Sequence, residues 1–477
     1  MITRSNRIGI FRGVDLWAVA LYLLIVGFGF LNITSASSQD AVEPFFAFAN
    51  FHTKQLLWMG ASFVVALTVL LLDASMYHKW AYIGYGIGIA LLVAVLLFGR
   101  EVNGARAWFS FGSFRWQPVE VAKIATALAM ARLMSEYHFS ISEPSDLVKI
   151  ALLLGLPLGI IVLQNDTGSG VVLSSFIFVL YREGLNKWLC LPLIMIAVLF
   201  LVSFLLTPWV LLVAVILVCA LSSVMMDGHV RQHVTALAAL AATTLLLYGA
   251  GWLLRIEWLT LYRTMLLVSI AAAVGVGLYA FRARLNNLLI IMALFLCSMV
   301  LLPNTQAIFD KLKTHQQNRI LVYLGLKDDP VKFGYNVRQA QIAIGSGRLT
   351  GKGFMNGTQT QYGFVPEKHT DFIFCAAAEE WGFIGSMGLL LCYGVLIFKL
   401  MRMGERQNEA FGRIYCYCVA AILLFHVMVN IGMTAGLVPV MGIPLPFMSY
   451  GGSSLIAFTI LLFIAIRMDA STRQFEM

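Results

Sequence analysis

Residues 365–398 read VPEKHTDFIFCAAAEEWGFIGSMGLLLCYGVLIF. The stretch opens polar, with Glu367, Lys368, His369 and Asp371 crowded together, and then turns small and apolar. Glu379 and Glu380 follow, and the run from Trp381 onward is hydrophobic enough to cross a bilayer. An α-helix needs about 20 apolar residues to span a hydrocarbon core about 30 Å thick. The sequence therefore sets a charged cluster at the mouth of a membrane helix and two carboxylates just inside it. Ionisable groups in such positions are costly and point to function by default.

Outward from this stretch the pattern repeats. Hydrophobic residues make up 60% of the 477 and charged residues only 12%, about half the charged fraction of a soluble domain. Apolar runs recur near 15–35, 55–73, 80–98, 117–135, 147–165, 169–183, 188–206, 208–226, 234–254, 261–281, 286–303, 371–399, 414–432 and 450–467. They make about 14 transmembrane helices, so the chain reads as an all-α polytopic membrane protein. A β-barrel would need shorter strands of alternating polarity. The basic N-terminus precedes an apolar run, Leu16 to Leu31, too long for the core of a cleaved signal peptide, so it reads as a retained first span.

Arg4, Arg7 and Arg12, then Lys79, Arg182, Arg231, Arg282, Arg402 and Arg467, fall on one side of this arrangement. Positive residues mark the cytoplasmic side, which places both termini there. The net charge of +9 suits loops facing anionic lipid. No basic domain stands clear of the membrane to bind nucleic acid. The seven cysteines lie in or beside apolar runs, at spacings unlike a zinc site, and no disulfide is expected. Residues 304–370 form a large polar loop without obvious secondary structure, which parity places outside. A connector of that size is more often functional than idle.

Four stretches carry chemistry unusual for a membrane protein, and all map to the outer face. NGARAWFSFGSFRWQPVEVAK (103–123) mixes aromatic residues with arginines and enters a span carrying Glu120 and Lys123. That i,i+3 spacing puts both charges on one helix face, where they can pair; the plainer reading is an interfacial aromatic belt with a snorkelling lysine. QNDTGSG (164–170) reads most simply as a tight turn. GYNVRQAQIAIGSGRLTGKGFMNGTQTQYGF (334–364) offers glycines whose backbone can approach an oxyanion, with Arg338, Arg348 and Lys352 to neutralise phosphate. Its spacing is not that of a P-loop, and flexible Gly-rich loops are common. NIGMTAGLVPVMGIPLPFMSYGGSS (430–454) breaks an apolar region with three prolines and five glycines. Broken backbone at membrane depth must be buried in protein or line a wet cavity, although a re-entrant turn that only packs would satisfy the same rule.

These stretches together resemble the signatures of the SEDS family (shape, elongation, division and sporulation proteins), over 15–185 and 310–470. GIPLPFMSYGGSS is closer to the elongation (RodA) branch than to the division (FtsW) branch. The resemblance implies a peptidoglycan glycosyltransferase of the bacterial inner membrane that polymerises lipid II and works with a class B penicillin-binding protein. It places the essential aspartate of the HTDFIF motif at Asp371 and the functional tryptophan at Trp108. Substrate contacts are expected among Arg106, Glu120, Lys123, Arg338, Gln339, Arg348, Lys352, Glu367, His369, Thr370 and Ser449. There are departures: Val119 and Ala340 stand where the family has serine, and Trp381 replaces a leucine. Family members usually have ten spans, so about four are extra here. The chain is read as one membrane domain, 1–477, with a transmembrane insertion at 208–285; four added spans preserve sidedness.

The chemistry agrees with that resemblance. An acceptor sugar hydroxyl is too weakly acidic to attack unaided and calls for a carboxylate base. The leaving pyrophosphate calls for cationic groups or a divalent cation, Mg2+ or Mn2+. Glu379 and Glu380 lie about 12 to 14 Å along the helix from Asp371, too far to partner it, and are assigned to structure or to holding a cation. The alternatives are a transporter that flips a lipid-linked sugar, which would place its site near the midplane, and a non-catalytic cell-wall scaffold.

Overall fold

Asp15 starts the first membrane helix: its carboxylate accepts the Ala18 N–H at 3.1 Å, the usual cap for orphan donors. The structure, a computed structural model, describes residues 13–38, 47–48, 50–102, 104–111, 114–186, 189, 198–200, 202–227, 230–327 and 333–476. Eleven helices among them are long and apolar enough to cross a membrane, and the protein is an all-helical polytopic membrane protein. Two predicted spans fall short. Residues 117–135 form a 16-residue helix, and 169–183 splits into two helices of seven residues each. The predicted span at 188–206 lies mostly outside the described residues.

The helices are α1 (Leu16–Ala36), α2 (Phe51–Leu71), α3 (Ala74–Phe98), α4 (Val119–Met134), α5 (Pro144–Leu163), α6 (Thr167–Leu173) and α7 (Phe176–Arg182). Then come α8 (Pro208–Asp227), α9 (Val230–Leu253), α10 (Leu261–Arg282), α11 (Asn286–Asp310), α12 (Thr314–Tyr323), α13 (Phe333–Ser346) and α14 (Thr358–Gln361). The last three are α15 (Ile373–Glu405), α16 (Ala410–Thr434) and α17 (Gly452–Glu476). A small antiparallel sheet between α3 and α4 departs from the helical pattern. It consists of β1 (Arg100–Val102), β2 (Ala105–Phe111) and β3 (Phe114–Trp116), with Trp108 opposite Arg100 and Phe109 opposite Trp116. An interfacial belt is one of the two readings the sequence allows for these aromatic residues; their alternation, with Ala107 buried and Arg106 exposed, is that of a strand.

The chain divides into two compact units, Met1–Gly184 with Asp328–Met477, and Leu185–Lys327. In the first, α16 and α17 are the central helices: 78% and 72% of their membrane windows are buried, against 39% or less for the other spans of that unit. Helix α4 joins them, packed against α3, α16 and α17. Being covered by protein rather than lipid, α4 can be short, rich in alanine and charged. The start of α1 and the end of α17 meet, since Arg473 pairs with Asp15 at 3.0 Å. In the second unit α8, α10 and α11 pack around Leu212, Val215, Ile216, Ala273, Ile291 and Phe295.

The predicted structureless loop 304–370 is corrected. Helix α11 continues through Pro303 to Asp310, and α12, α13 and α14 follow within the segment. The apolar run ends near residue 303, but the helix goes on for seven more residues although proline removes a backbone donor and usually ends a helix.

A crossing by α9 puts Val230, its first residue, and Glu257, in the turn after Leu253, on opposite sides. Single cysteines at those positions, in a background without native cysteines, are expected to label from opposite sides of the membrane. Labelling of both from one side would remove α9 as a span.

Candidate active site

Gly382 breaks the long helix α15. Its φ of 64° and ψ of −162° belong to a region open essentially to glycine. The break leaves N–H and carbonyl groups without intrahelical partners, and inside a span only protein can meet them. Residues 348–353 do so. Phe383 and Ile384 N–H groups donate to the carbonyls of Arg348 and Leu349 at 2.9 and 3.1 Å, and the N–H groups of Lys352 and Gly353 donate to the carbonyls of Glu379 and Glu380, both at 3.0 Å. The approach is close enough to exclude side chains. A Cβ on Gly351 would lie 2.1 Å from the Glu380 carbonyl oxygen, and one on Gly382 would lie 2.2 Å from the Gly351 nitrogen.

The two carboxylates inside the helix fasten the same loop. Glu379 is fully buried and accepts from Lys352 Nζ at 2.6 Å, from the Gln359 and Thr360 N–H groups at 2.9 and 3.0 Å, and from the Thr360 hydroxyl at 2.9 Å. A buried carboxylate is tolerable when it is paired and hydrogen-bonded in this way. Glu380 accepts from the Ser35 hydroxyl and so ties the break to α1.

Upstream of the break, Asp371 lies in a turn that begins at Glu367, whose φ is 53°. The Thr370 and Phe372 N–H groups donate to the Glu367 carbonyl at 3.1 and 3.2 Å, and the Thr370 hydroxyl donates to the Glu367 carboxylate at 2.9 Å. This turn is stitched to the broken segment after α16. The Asn430 amide donates to the carbonyls of Asp371 and Ile443, at 2.9 and 2.7 Å. The Ser449 hydroxyl accepts the Leu445 N–H at 2.8 Å and donates to the Thr370 carbonyl at 2.7 Å. The Tyr450 N–H donates to the His369 carbonyl at 2.8 Å, and the His369 ring stacks 4.2 Å from that of Phe51. The Asp371 carboxylate faces the backbone at Gly442, where a Cβ would stand 3.5 Å from Oδ2. Asp371 is not the helix cap. Phe372 occupies that position and makes no side-chain cap bond.

The remaining two motifs meet the same segment. A Cβ on Gly168, in α6, would lie 2.5 Å from the Met441 carbonyl oxygen. Asp166, which caps α6, accepts from Gln117 Nε2 at 2.9 Å, and the Arg106 N–H donates to the Gln164 carbonyl at 2.9 Å. The sheet, the QNDTGSG turn, residues 441–443 and the Asp371 turn thus form one connected patch.

Beneath it runs a buried polar chain. Lys123 and Glu120, both almost wholly buried, pair at 2.9 Å. Lys123 Nζ also lies 3.2 Å from His426 Nε2 and 5.1 Å from the centre of the Phe458 ring. His426 Nδ1 is 3.1 Å from the Pro444 carbonyl oxygen. That carbonyl can only accept, so Nδ1 carries the hydrogen and Nε2 accepts from the ammonium. A cavity of about 150 Å³, lined by Trp58, Trp116, Glu120, Val121 and Ile456, lies beside the pair.

Among the predicted site residues, hydrogen bonds join Thr370, Glu367 and Ser449 to the Asp371 turn, which also carries His369. Ser449 is buried and engaged on both sides, which makes it a stitch. Lys352 is held by Glu379, and Lys123 by Glu120. Arg106, Arg338 and Arg348 are exposed, Trp108 and Gln339 half-buried. Ala340 is fully buried in an apolar cluster with Phe372, Cys375 and Met433, and Val119 is buried too, so neither site of the missing serine is open. The sequence reading passed over Asn430 and His426. The available signal was two polar residues four apart in an apolar helix, hence on one face. Among the described residues no three or more His, Cys, Asp or Glu side chains are grouped so as to hold a metal ion.

Two substitutions test this framework. Gly382→Ala forces a side chain into the loop backbone at a positive φ and is expected to cost at least about 2 kcal/mol, seen as a lowered thermal midpoint in detergent. Glu120→Ala leaves a buried cation unpaired and is expected to cost about 3–5 kcal/mol. Wild-type midpoints for both would contradict the contacts described.

The family model for FtsW, RodA and SpoVE, described as "Cell cycle protein", matches residues 16–255 and 212–474. The chain is 29% identical to the peptidoglycan glycosyltransferase RodA of Treponema pallidum (strain Nichols), over 97% of this chain and 99% of that one. It is also 29% identical to the peptidoglycan glycosyltransferase MrdB of Escherichia coli (strain K12), over 93% of this chain and 90% of that one. Among solved structures, a chain from work on the coordination of polymerisation and crosslinking by a peptidoglycan synthase complex superposes with a TM-score of 0.59, at 26% identity, over 97% of this chain and 99% of that one. With nearly its whole length matched, this chain belongs to the FtsW/RodA/SpoVE (SEDS) family.

Proposed function

We propose that the chain is a peptidoglycan glycosyltransferase that polymerises lipid II, with Asp371 as the general base. The relatives' names support the activity. The observation that carries the residue assignment is the way Asp371 is held. Its turn is fixed through backbone carbonyls by Asn430, Ser449 and Tyr450, and its half-buried carboxylate faces the backbone beside Gly442. A catalytic group must be held by supports other than its reactive atoms.

In the proposed step the Asp371 carboxylate takes the proton of an acceptor sugar hydroxyl as that oxygen attacks the anomeric carbon of the donor. The bond from that carbon to the pyrophosphate oxygen breaks, and its electron pair leaves with undecaprenyl pyrophosphate. An α-linked donor gives a β-linked glycan, so one direct displacement suffices and no covalent sugar–enzyme intermediate forms. The exposed Arg106, Arg338 and Arg348 are the cations best placed to meet a membrane-bound pyrophosphate, because Lys123 and Lys352 already neutralise carboxylates. Arginine suits this task through its planar fork of donors. The synthase complex among the solved structures supports a crosslinking partner, proposed here as a class B penicillin-binding protein. The proposed orientation in the bacterial inner membrane sets both termini in the cytoplasm and the cleft outward.

Asp371→Asn tests the assignment. The turn is held by backbone carbonyls, so the variant is expected to fold and engage its partner. Polymer made from fluorescent lipid II, in the presence of penicillin, is expected to fall by roughly two to four orders of magnitude. Near-normal polymer from folded Asp371→Asn protein would end the catalytic assignment.

A further inference from the structure

At the end of the molecule where α1 begins and α17 ends, three cations pair with two carboxylates and a fourth, Arg402, shares a cavity wall with two of them. Lys399 pairs with Asp15 at 2.9 Å, Arg406 with Asp469 at 3.1 Å, and Arg473 with both Asp15 and Asp469 at 3.0 Å. The carboxylates are almost wholly buried, while Arg406 remains 44% exposed. Burial pushes the Asp15 carboxyl up, but the hydrogen bonds from Lys399 and Ala18 and the charges of Lys399 and Arg473 bring it below its ordinary value. The fourth cation, Arg402, has no carboxylate partner among the described residues and lies 5.2 Å from the centre of the Phe398 ring. Among the described residues the cluster therefore carries excess positive charge, and Arg402 is the cation without a carboxylate beside it.

The cluster opens onto a cavity of about 420 Å³. Lys399, Arg402 and Arg406 form one part of its wall, and Trp17, Leu21, Val395 and Phe398 the rest. Trp17 is 76% exposed and Phe398 51%, on helices that span a membrane. Such a wall suits an acyl chain, and tryptophan at the end of a span marks the headgroup level. Basic pockets between membrane helices at that level suit phosphate headgroups.

We propose that the groove between α1 and α15 binds one anionic phospholipid, its phosphate against Arg402, Arg406 and Lys399 and its acyl chain along Trp17, Leu21 and Val395. The ligand chemistry is a phosphodiester that carries net negative charge. A lipid, rather than a free phosphate, is the source, because the apolar wall continues the membrane-facing surface of both helices. The site lies at the end of α15 opposite the Asp371 turn and does not depend on the assignment of Asp371.

The test uses the full chain in detergent, with native mass spectrometry and thermal midpoints as readouts. Phosphatidylglycerol is expected to be retained over phosphatidylcholine and to raise the midpoint, whereas inorganic phosphate and glycerol 3-phosphate have no such effect. Arg402→Gln is expected to cut the preference about fivefold, the contribution of one basic residue near an anionic surface. Arg402→Lys keeps the charge and is expected to retain most of the preference, which separates loss of the site from loss of the fold. Equal retention of the two lipids, an equal effect of inorganic phosphate, or an unchanged preference in folded Arg402→Gln protein would each overturn the proposal.

Discussion

A membrane helix that stops being a helix partway along creates backbone groups that lipid cannot satisfy, and everything around Asp371 follows from how this chain satisfies them. The break at Gly382 is met by the backbone of residues 348–353, which completes the helix from outside. Glu379 and Glu380 then hold that loop and α1 in place. A segment that the sequence presents as a flexible glycine-rich connector is thereby as fixed as the helices. Its rigidity carries over to α13, whose Ala340 and Ala343 pack against Phe372 and Cys375 at the start of α15. The aspartate sits between two supports, the packed start of its own helix and the stitches from residues 430–450.

Much of this was legible in the sequence. Apolar runs near 20 residues report membrane helices because the bilayer fixes their length, and the motif stretches proved to be neighbours in space. The i,i+3 pairing of Glu120 and Lys123 was readable from spacing alone. What was not readable has physical causes. Helix α4 is covered by α3, α16 and α17, so it needs little hydrophobicity of its own and resembles a weak span. The sheet at 100–116 was hidden because aromatic residues near a membrane fit an interfacial belt equally well. The continuation of α11 past Pro303 depends on surroundings that propensity does not see. The role of Glu379 turns on a loop some twenty residues upstream and that of Glu380 on Ser35 in the first helix, distances over which sequence spacing says nothing.

The buried chain from Glu120 through Lys123 to His426 and Pro444 shows a second use of charge. Removed from water, the pair gains strength only because each member is met. The imidazole, with its hydrogen on Nδ1, passes that support to the carbonyl of Pro444, the residue after Ile443, which Asn430 also holds. The backbone at Ile443 and Pro444 is not helical, and these two side chains of one helix face supply partners for its carbonyls.

The brevity and charge of α4 also bear on how the chain is made. A 16-residue helix that carries Glu120, Lys123 and Arg132 is a poor candidate to leave the translocation channel alone, since it is shorter than a full span and charged residues disfavour insertion. Helix α3, 25 residues of nearly uninterrupted hydrophobicity, precedes it and packs along it. The two enter lipid most easily as one hairpin, while the partners that bury the lysine, α16 and α17, are synthesised well after it. During biogenesis the charged face of α4 must therefore wait, shielded by its own ion pair, until those two later helices arrive.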